Sequence, residues 1–374
     1  MVTRAGGDAS SGAEADADAP FWMAFRNVNG IGPVRFERLL ARFGTMRDAW
    51  YADPRELRSV LDRRSCEHLT ACRSRCTPEA EYEALRAQGI DVVTLRHDHY
   101  PDLLREIPSP PPVIFLRGEV TLEDRRAVAI VGTRRMSGYG RELTKTLAYD
   151  LAKAGVTIVS GLAKGVDGIA HAAALDAGGR TIAVMGNGVK RVYPAVHQAL
   201  AKRIIGQGAV LSDLHPDAPP DAPNFPARNR LISGLALAVV VTEAPLRSGA
   251  LITVDFAADQ GRDVFAVPGS VHSEASAGCN RLLRDGARLA RNADDILEDL
   301  RLGEAPKQLA LNSPAALDEP SRRVLASLTG DPLHIDEISA AAGISIAGLS
   351  SLLMTLELEG FVRNVGAQYY ARIG

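Results

Sequence analysis

The stretch Val128-Ala-Ile-Val-Gly-Thr-Arg-Arg-Met-Ser-Gly-Tyr-Gly140 decides the fold. Val128 to Val131 is a short run of β-branched and apolar residues that ends at a glycine, the pattern of a strand buried on both faces. Gly132 to Gly140 turns sharply. From Arg141 to Ala154 the apolar residues Leu143, Leu147 and Leu151 recur at helical spacing, and Gly155 ends the helix. Strand, glycine loop and helix in that order present backbone N–H groups and a helix N-terminus to an anion. The loop also carries two arginines. It matches neither G-x-G-x-x-G nor a phosphate loop with its lysine, so it points to an anion at the strand end without naming a dinucleotide or ATP. A tight βα turn with solvent-facing arginines is the bland alternative.

Outward from this unit, the chain from Arg126 to about Leu300 alternates apolar runs with crossover-length stretches. The runs are Val128–Val131, Val156–Val159, Thr181–Met185, Ala209–Leu211, Ala238–Val241 and Val264–Val267. Such alternation predicts a parallel, doubly wound α/β sheet. Asp91–Leu95 and Val113–Gly118 predict two further strands. Glycines and small polar residues cluster where the runs end (Gly132-Thr-Arg, Ser160-Gly-Leu-Ala-Lys-Gly, Gly186-Asn-Gly, Glu243-Ala-Pro), the edge on which open α/β sheets bind ligands.

Five segments are expected. Residues 1–20, rich in Gly, Ala, Ser and Asp, read as a disordered tail; 21–90 as a helical domain; 91–300 as the sheet domain; 301–320 as a linker; 321–374 as three helices and a hairpin. Within the helical domain, Gly30-Ile-Gly32 resembles the turn of a helix-hairpin-helix, followed by Arg35, Arg38 and Arg42, with a plain αα turn as the alternative. Leu214–Pro226 carries five prolines and no periodicity, which predicts a loop leading into a helix that carries Arg228 and Arg230. The last segment resembles a winged helix, but its second helix, Ser345–Glu359, has no Lys or Arg, so contact with protein is as well supported as duplex reading.

With 374 residues and a net charge of −2, the chain needs several cores and is no polycation, so any nucleic-acid contact must be local. Its four cysteines show no metal-ligand spacing and read as free thiols, the chain has no membrane-length apolar run and no signal-peptide core, and a cytoplasmic protein without metal or cofactor is expected.

Taken together, IVGTRRMSGYG, VSGLAKGVDGIAH, GNGVKRVYP, NFPARNRLISGLA, VVVTEAPLRSGALIT and VFAVPG resemble the DprA/Smf family (DNA-processing protein A) over most of the chain. The resemblance implies an extended Rossmann-like domain, a helical N-terminal module like a sterile-alpha-motif fold and a C-terminal winged helix. It further implies a homodimer that binds single-stranded DNA, protects it, hands it to the RecA recombinase during natural transformation, and has no catalytic residues. Its DNA-binding set would be Gly132, Thr133, Arg134, Arg135, Ser137, Tyr139, Ser160, Gly161, Lys164, Gly165, Lys190, Phe225, Arg228, Asn229 and Arg230, with Arg134 as the principal phosphate ligand. Two departures stand out: Ala195 follows Tyr-Pro where the family commonly has a basic residue, and Leu214–Pro226 lacks the usual lysine. They shift weight to Arg135, Lys190 and Arg191. Tyr139, Tyr193 and Phe225 could stack on bases or pack in the core. The alternative function is an enzyme acting on a nucleotide or sugar phosphate, for which Asp167, Asp213 and Glu243 are the only acid–base candidates near strand ends.

Overall fold

A computed structural model describes residues 8–302, 319–328, 333–358, 361–366 and 368–372. The chain divides into two compact units, Met1–Gly303 and Glu304–Gly374.

The first unit opens with six helices: α1 (Asp8–Arg26), α2 (Pro33–Phe43), α3 (Met46–Tyr51), α4 (Pro54–Leu57), α5 (Arg63–Arg73) and α6 (Pro78–Arg86). Two strands separated by a short helix follow: β1 (Asp91–Thr94), α7 (Asp102–Arg105) and β2 (Val113–Gly118). The alternating part is then β3 (Ala127–Val131), α8 (Gly138–Lys153), β4 (Thr157–Ser160), α9 (Val166–Asp176), β5 (Thr181–Val184), α10 (Gln198–Gln207), β6 (Ala209–Ser212), α11 (Asn224–Gly234), β7 (Ala238–Val241), α12 (Leu251–Asp259), β8 (Asp263–Ala266), α13 (Ala277–Arg284), β9 (Arg288–Leu289) and α14 (Ala293–Asp299).

The strands form one sheet in the order β1-β2-β6-β5-β4-β3-β7-β8-β9. From β6 to β9 every neighbouring pair is parallel, while β2 runs antiparallel to β1 and β6. Helices cover both faces, so the central strands are apolar throughout: every residue of β3 and β7 is buried. Burying one such Val or Ile contributes about 1.5–3 kcal/mol relative to leaving it exposed. The chain builds β3, β4, β5 and β6 in one direction and then returns to lay β7 on the other side of β3, with Val131 opposite Val241. The carboxyl ends of β3 and β7 are therefore the topological switch point.

Three expectations change. The tail prediction fails from Asp8 onward, where the chain is already helical; residues 1–7 lie outside the described residues. Alanine is the best helix former, and the Asp18 carboxylate fixes this helix by accepting from Met46 N at 3.0 Å, Arg47 N at 2.8 Å and Trp22 Nε1 at 2.8 Å. The helical segment is also no separate domain, because Phe21, Phe25, Phe36 and Trp50 share one apolar core with Val113 and Phe115 of β2, Ala183 of β5 and Val210 of β6. Finally, α11 begins at Asn224 rather than after Pro226. Pro226 falls in the first turn, where the missing N–H has no helical partner to lose.

The second unit holds α15 (Glu319–Ser327), α16 (Ile335–Ala342), α17 (Ile346–Leu358) and a sheet in the order β10 (Leu333–His334), β12 (Tyr369–Arg372), β11 (Val362–Gly366). This is the predicted winged helix with one more strand than the hairpin foretold. Its core is Val324, Leu328, Ile338, Leu349, Leu353 and Leu356. Most of the predicted linker lies outside the described residues.

Candidate nucleic-acid interface

The carboxyl edge of the sheet is built from the loops after β3, β4 and β5 and from the start of α11. The loops after β3 and β4 press against each other: Val166 N donates to Thr133 O at 3.2 Å. Gly165 has φ +88°, and a Cβ there would lie 2.4 Å from Thr133 O and 2.7 Å from Arg134 Cα. Glycine is thus required twice at this crossing, for its backbone conformation and for space.

The crossing leaves Arg134, Arg135 and Lys164 exposed. Among the described residues none of these three side chains has an ion-pair partner. Arg134 and Arg135 stand on a cavity of about 620 Å3 whose wall also includes Arg141 of α8, His197 and Arg203 of α10. Arg203 is paired with Asp176 at 2.6 Å; Arg141 is exposed and, among the described residues, unpaired. Clustered guanidinium groups without internal carboxylates attract an external anion, with planar forks that suit phosphate oxygens. A second cavity, about 610 Å3, lies beside β1 with Glu79, Glu83, Asp91 and Glu119 on its wall, a charge of the wrong sign for phosphate.

The expected site residues divide. Thr133 is buried, and its Oγ1 accepts from Arg135 N at 3.1 Å, shaping the loop. Lys190 is half-buried and paired with Asp217 at 2.7 Å, while its neighbour Arg191 is exposed. Arg230 is held by Asp213 at 2.7 Å and by Ser109 O at 2.6 Å, and Asn229 Nδ2 donates to Gly249 O at 3.3 Å. Tyr139 is exposed, with its hydroxyl donating to Pro268 O at 3.0 Å. Tyr193 is 48% exposed, and its ring lies 5.6 Å from that of Phe225. Phe225 is half-buried against Gly186, where a Cβ would meet its ring at 2.7 Å. Of this pair Tyr193 faces outward and Phe225 supports it.

Three expected contacts belong to the interior, and a fourth is spent within the loop. Ser160 is buried and donates to Ile130 O at 2.6 Å, and Gly161 is buried beside it. Arg228 is 6% exposed; its Nη1 donates to Gly161 O at 2.9 Å and to Val184 O, tying the ends of β4 and β5 together. Asp167 shares the Cβ face of Gly161 with Arg228: a Cβ there would lie 2.7 Å from Arg228 Nη2 and 2.8 Å from Asp167 Oδ2. Burial pushes the Asp167 carboxyl up while Arg228 pulls it down; burial lowers the Arg228 guanidinium to about 10, leaving it a cation at neutral pH. His171 lies in the same interior, donating from Nδ1 to Thr181 Oγ1 at 2.6 Å, since the Thr181 hydroxyl is itself spent on Ile158 O. Burial, then His197 and Arg228, depress its imidazole to about 3. Ser137 is the fourth: although exposed, it caps α8 by accepting from Gly140 N at 3.0 Å and is bound to Glu243 through both its N–H and its hydroxyl.

Sequence reading missed Arg141, Arg203 and His197, which lie on helices outside the glycine loops. Their signal was weak: Arg141 sits one turn past the Ser137 cap, His197 immediately precedes α10, and Arg203 lies in the middle of it. In the helical segment, Arg35 is occupied by Asp62, Ser65 and Gly30 O, whereas Arg38 and Arg42 are exposed. On α17, Ile346, Ser350, Ser351, Met354 and Thr355 are exposed, and none of them is charged.

Comparison with known proteins places this edge in context. A family model described as DNA recombination-mediator protein A matches residues 91–301, and one described as DprA winged helix domain matches residues 308–368. The chain is 33% identical over 396 residues to Protein Smf of Synechocystis sp., covering 96% of this chain and all of the relative. It is 41% identical over 218 residues to DNA processing protein DprA of Bacillus subtilis, covering 58% of this chain and 73% of the relative. Among solved structures it resembles DprA from Streptococcus pneumoniae with a TM-score of 0.66 at 33% identity, covering 75% of this chain and 97% of that one. It also resembles DNA processing protein A from Helicobacter pylori, a protein with a unique single-stranded DNA binding mode, with a TM-score of 0.51 at 32% identity, covering 57% and 95%.

Proposed function

The chain belongs to the DNA recombination-mediator protein A family, the family of the Smf and DprA proteins, and from that premise we propose that it binds single-stranded DNA along the carboxyl edge of its parallel sheet. In this reading it is a cytoplasmic homodimer that protects incoming strands and passes them to a RecA-type recombinase during natural transformation. It acts by binding, without catalysis or cofactor. The observation that carries the reading is the set Arg134, Arg135 and Lys164 at the crossing of two glycine loops, exposed and, among the described residues, unpaired, with Arg141 on the cavity that Arg134 and Arg135 line. Phosphates would lie on these cations, and Tyr193, backed by Phe225, offers a ring on which any base can stack.

The enzyme alternative is less well supported. Each of its acid–base candidates has structural work: Asp167 faces Arg228 in the interior, Asp213 holds Arg230, and Glu243 holds Ser137. Among the described residues no helix is long and apolar enough to cross a membrane.

Titration of the full chain with fluorescent single-stranded DNA, duplex DNA and ADP at two salt concentrations tests the proposal. The expected result is tight, salt-dependent binding of the single strand, weaker duplex binding and no saturable ADP binding. Preference for ADP, or no binding to the single strand, would reject it.

A further inference from the structure

In nucleotide-binding sheets of this topology, the phosphate at the switch point rests on the glycine loop and on the first amides of the following helix. Here that position is filled. Glu243, the second residue after β7, is 2% exposed and points its carboxylate at the start of α8. Its Oε2 accepts from Ser137 N at 2.7 Å and its Oε1 from Ser137 Oγ at 2.6 Å. Its backbone oxygen accepts from Thr133 N at 2.7 Å.

Two of the loop's three glycines, none of which has positive φ, pack against the same residue. A Cβ on Gly140 would fall 2.3 Å from Glu243 Oε2, and one on Gly132 would fall 2.8 Å from Glu243 O. At Gly140 the chain's own carboxylate fills the space a Cβ would need, and at Gly132 the Glu243 backbone oxygen and the Val166 side chain do. Among the described residues no lysine or arginine pairs with Glu243. Its charge is met by the Ser137 donors and by the positive end of α8, a helix of 16 residues. Arg134 and Arg135, two and one residues before Met136, turn outward instead of pairing with it.

We infer that Glu243 is a specificity-determining residue: an internal anion that takes the phosphate position of the switch point, excludes free phosphates and nucleotides from it, and so leaves the neighbouring arginines to an external polyanion. Only the last clause rests on the single-stranded DNA reading. A phosphate entering beside a buried carboxylate would meet a like charge in a poorly solvated place, which excludes it.

The test is replacement of the internal anion by an external one. Glu243→Ala should lower the melting temperature, because Ser137 N, Ser137 Oγ and the helix end lose their acceptor. Acetate or inorganic pyrophosphate, at the ionic strength of a chloride control, should then raise the melting temperature of the variant selectively, by roughly 2–4 °C. To silence the surface cations, the pyrophosphate arm is run in an Arg134→Ala/Arg135→Ala background with and without Glu243→Ala. Should Glu243→Ala fold poorly in chloride, refolding yield in acetate against chloride gives the same readout. Glu243→Gln, which fills the space without the charge, should be destabilised and not rescued. Rescue confined to Glu243→Ala supports the inference. An equal response of the Ala variant and its Glu243 parent to both anions, or rescue of the Gln variant to the same extent, overturns it. The readout needs no DNA, so failure of the unmodified protein to bind single strands would reject the functional proposal while leaving this result to stand or fall separately.

Discussion

Arg134 and Arg228 occupy opposite sides of the same edge. Arg134 sits in the loop after β3, exposed and, among the described residues, unpaired; Arg228 sits in α11, 6% exposed and bonded to two carbonyl oxygens. The outer arginine contributes nothing that the fold requires and is free for a partner. The inner one ties two strand ends together beside a buried carboxylate and is itself buried. Both come from motifs rich in Arg and Gly, so residue type alone does not separate grip from scaffold; burial does.

The contrast predicts unequal costs. Arg228→Ala should be the most damaging substitution, destabilising the fold by about 3–5 kcal/mol because Asp167 stays buried without its cation and Gly161 O and Val184 O lose their donor. Chemical denaturation checks this, and a variant as stable as the parent but deficient in DNA binding would move Arg228 to the surface role.

Next in size, Tyr193→Ala should weaken single-stranded DNA binding by about 1–3 kcal/mol with little change in stability, since one stacked base is lost. Phe225→Ala should lower both stability and affinity, because its ring is half-buried beneath Tyr193. Parallel thermal unfolding and DNA titration separate the two. If Phe225→Ala lost affinity alone, the order of the two rings would be reversed.

Arg134→Ala should keep stability within about 0.5 kcal/mol, as an exposed position allows, and should flatten the salt dependence of single-strand binding by about 0.7 in the log–log slope, one phosphate contact. An unchanged slope in the folded variant would sink the contrast at its outer end.

The smallest effect near neutrality concerns His171. Its folded value of about 3 lies below its ordinary one. The unfolded chain therefore takes up a proton that the folded chain refuses, and stability falls as pH drops from the ordinary imidazole range toward that value. His171→Gln should show a shallower loss of melting temperature between neutral and mildly acid pH than the parent does; an identical pH profile would remove His171 from the interior set.

The sheet was legible because its parallel strands are buried on both faces and so appear as continuous apolar runs, found within a residue or two of their observed bounds. Strand β9 was not, having only Arg288 and Leu289, both exposed. The start of α11 was hidden by prolines that suit a first turn, and α1 by a composition poor in large side chains although rich in alanine. At the edge, sequence located the cations but not their direction. Two signals did exist. Asp167 stands at the start of α9, within the motif that also supplies Gly161, and suggests a buried partner for one arginine. Glu243 is a charged residue two positions after a strand of four buried apolar residues, a placement that asks what neutralises it.

The shared core of the helical segment and the sheet has a consequence during synthesis. The helices up to Arg86 leave the ribosome first, yet part of the surface that Phe25, Phe36 and their neighbours pack with belongs to β2, β5 and β6. Val210 is made 120 residues after Ile90, which at typical translation speeds of about 5–20 residues per second is a delay of roughly 6–24 s. For that interval the nascent chain carries an unfinished apolar face with its aromatic residues incompletely covered, and its passage to the native state depends on what keeps that face from other chains until β6 arrives.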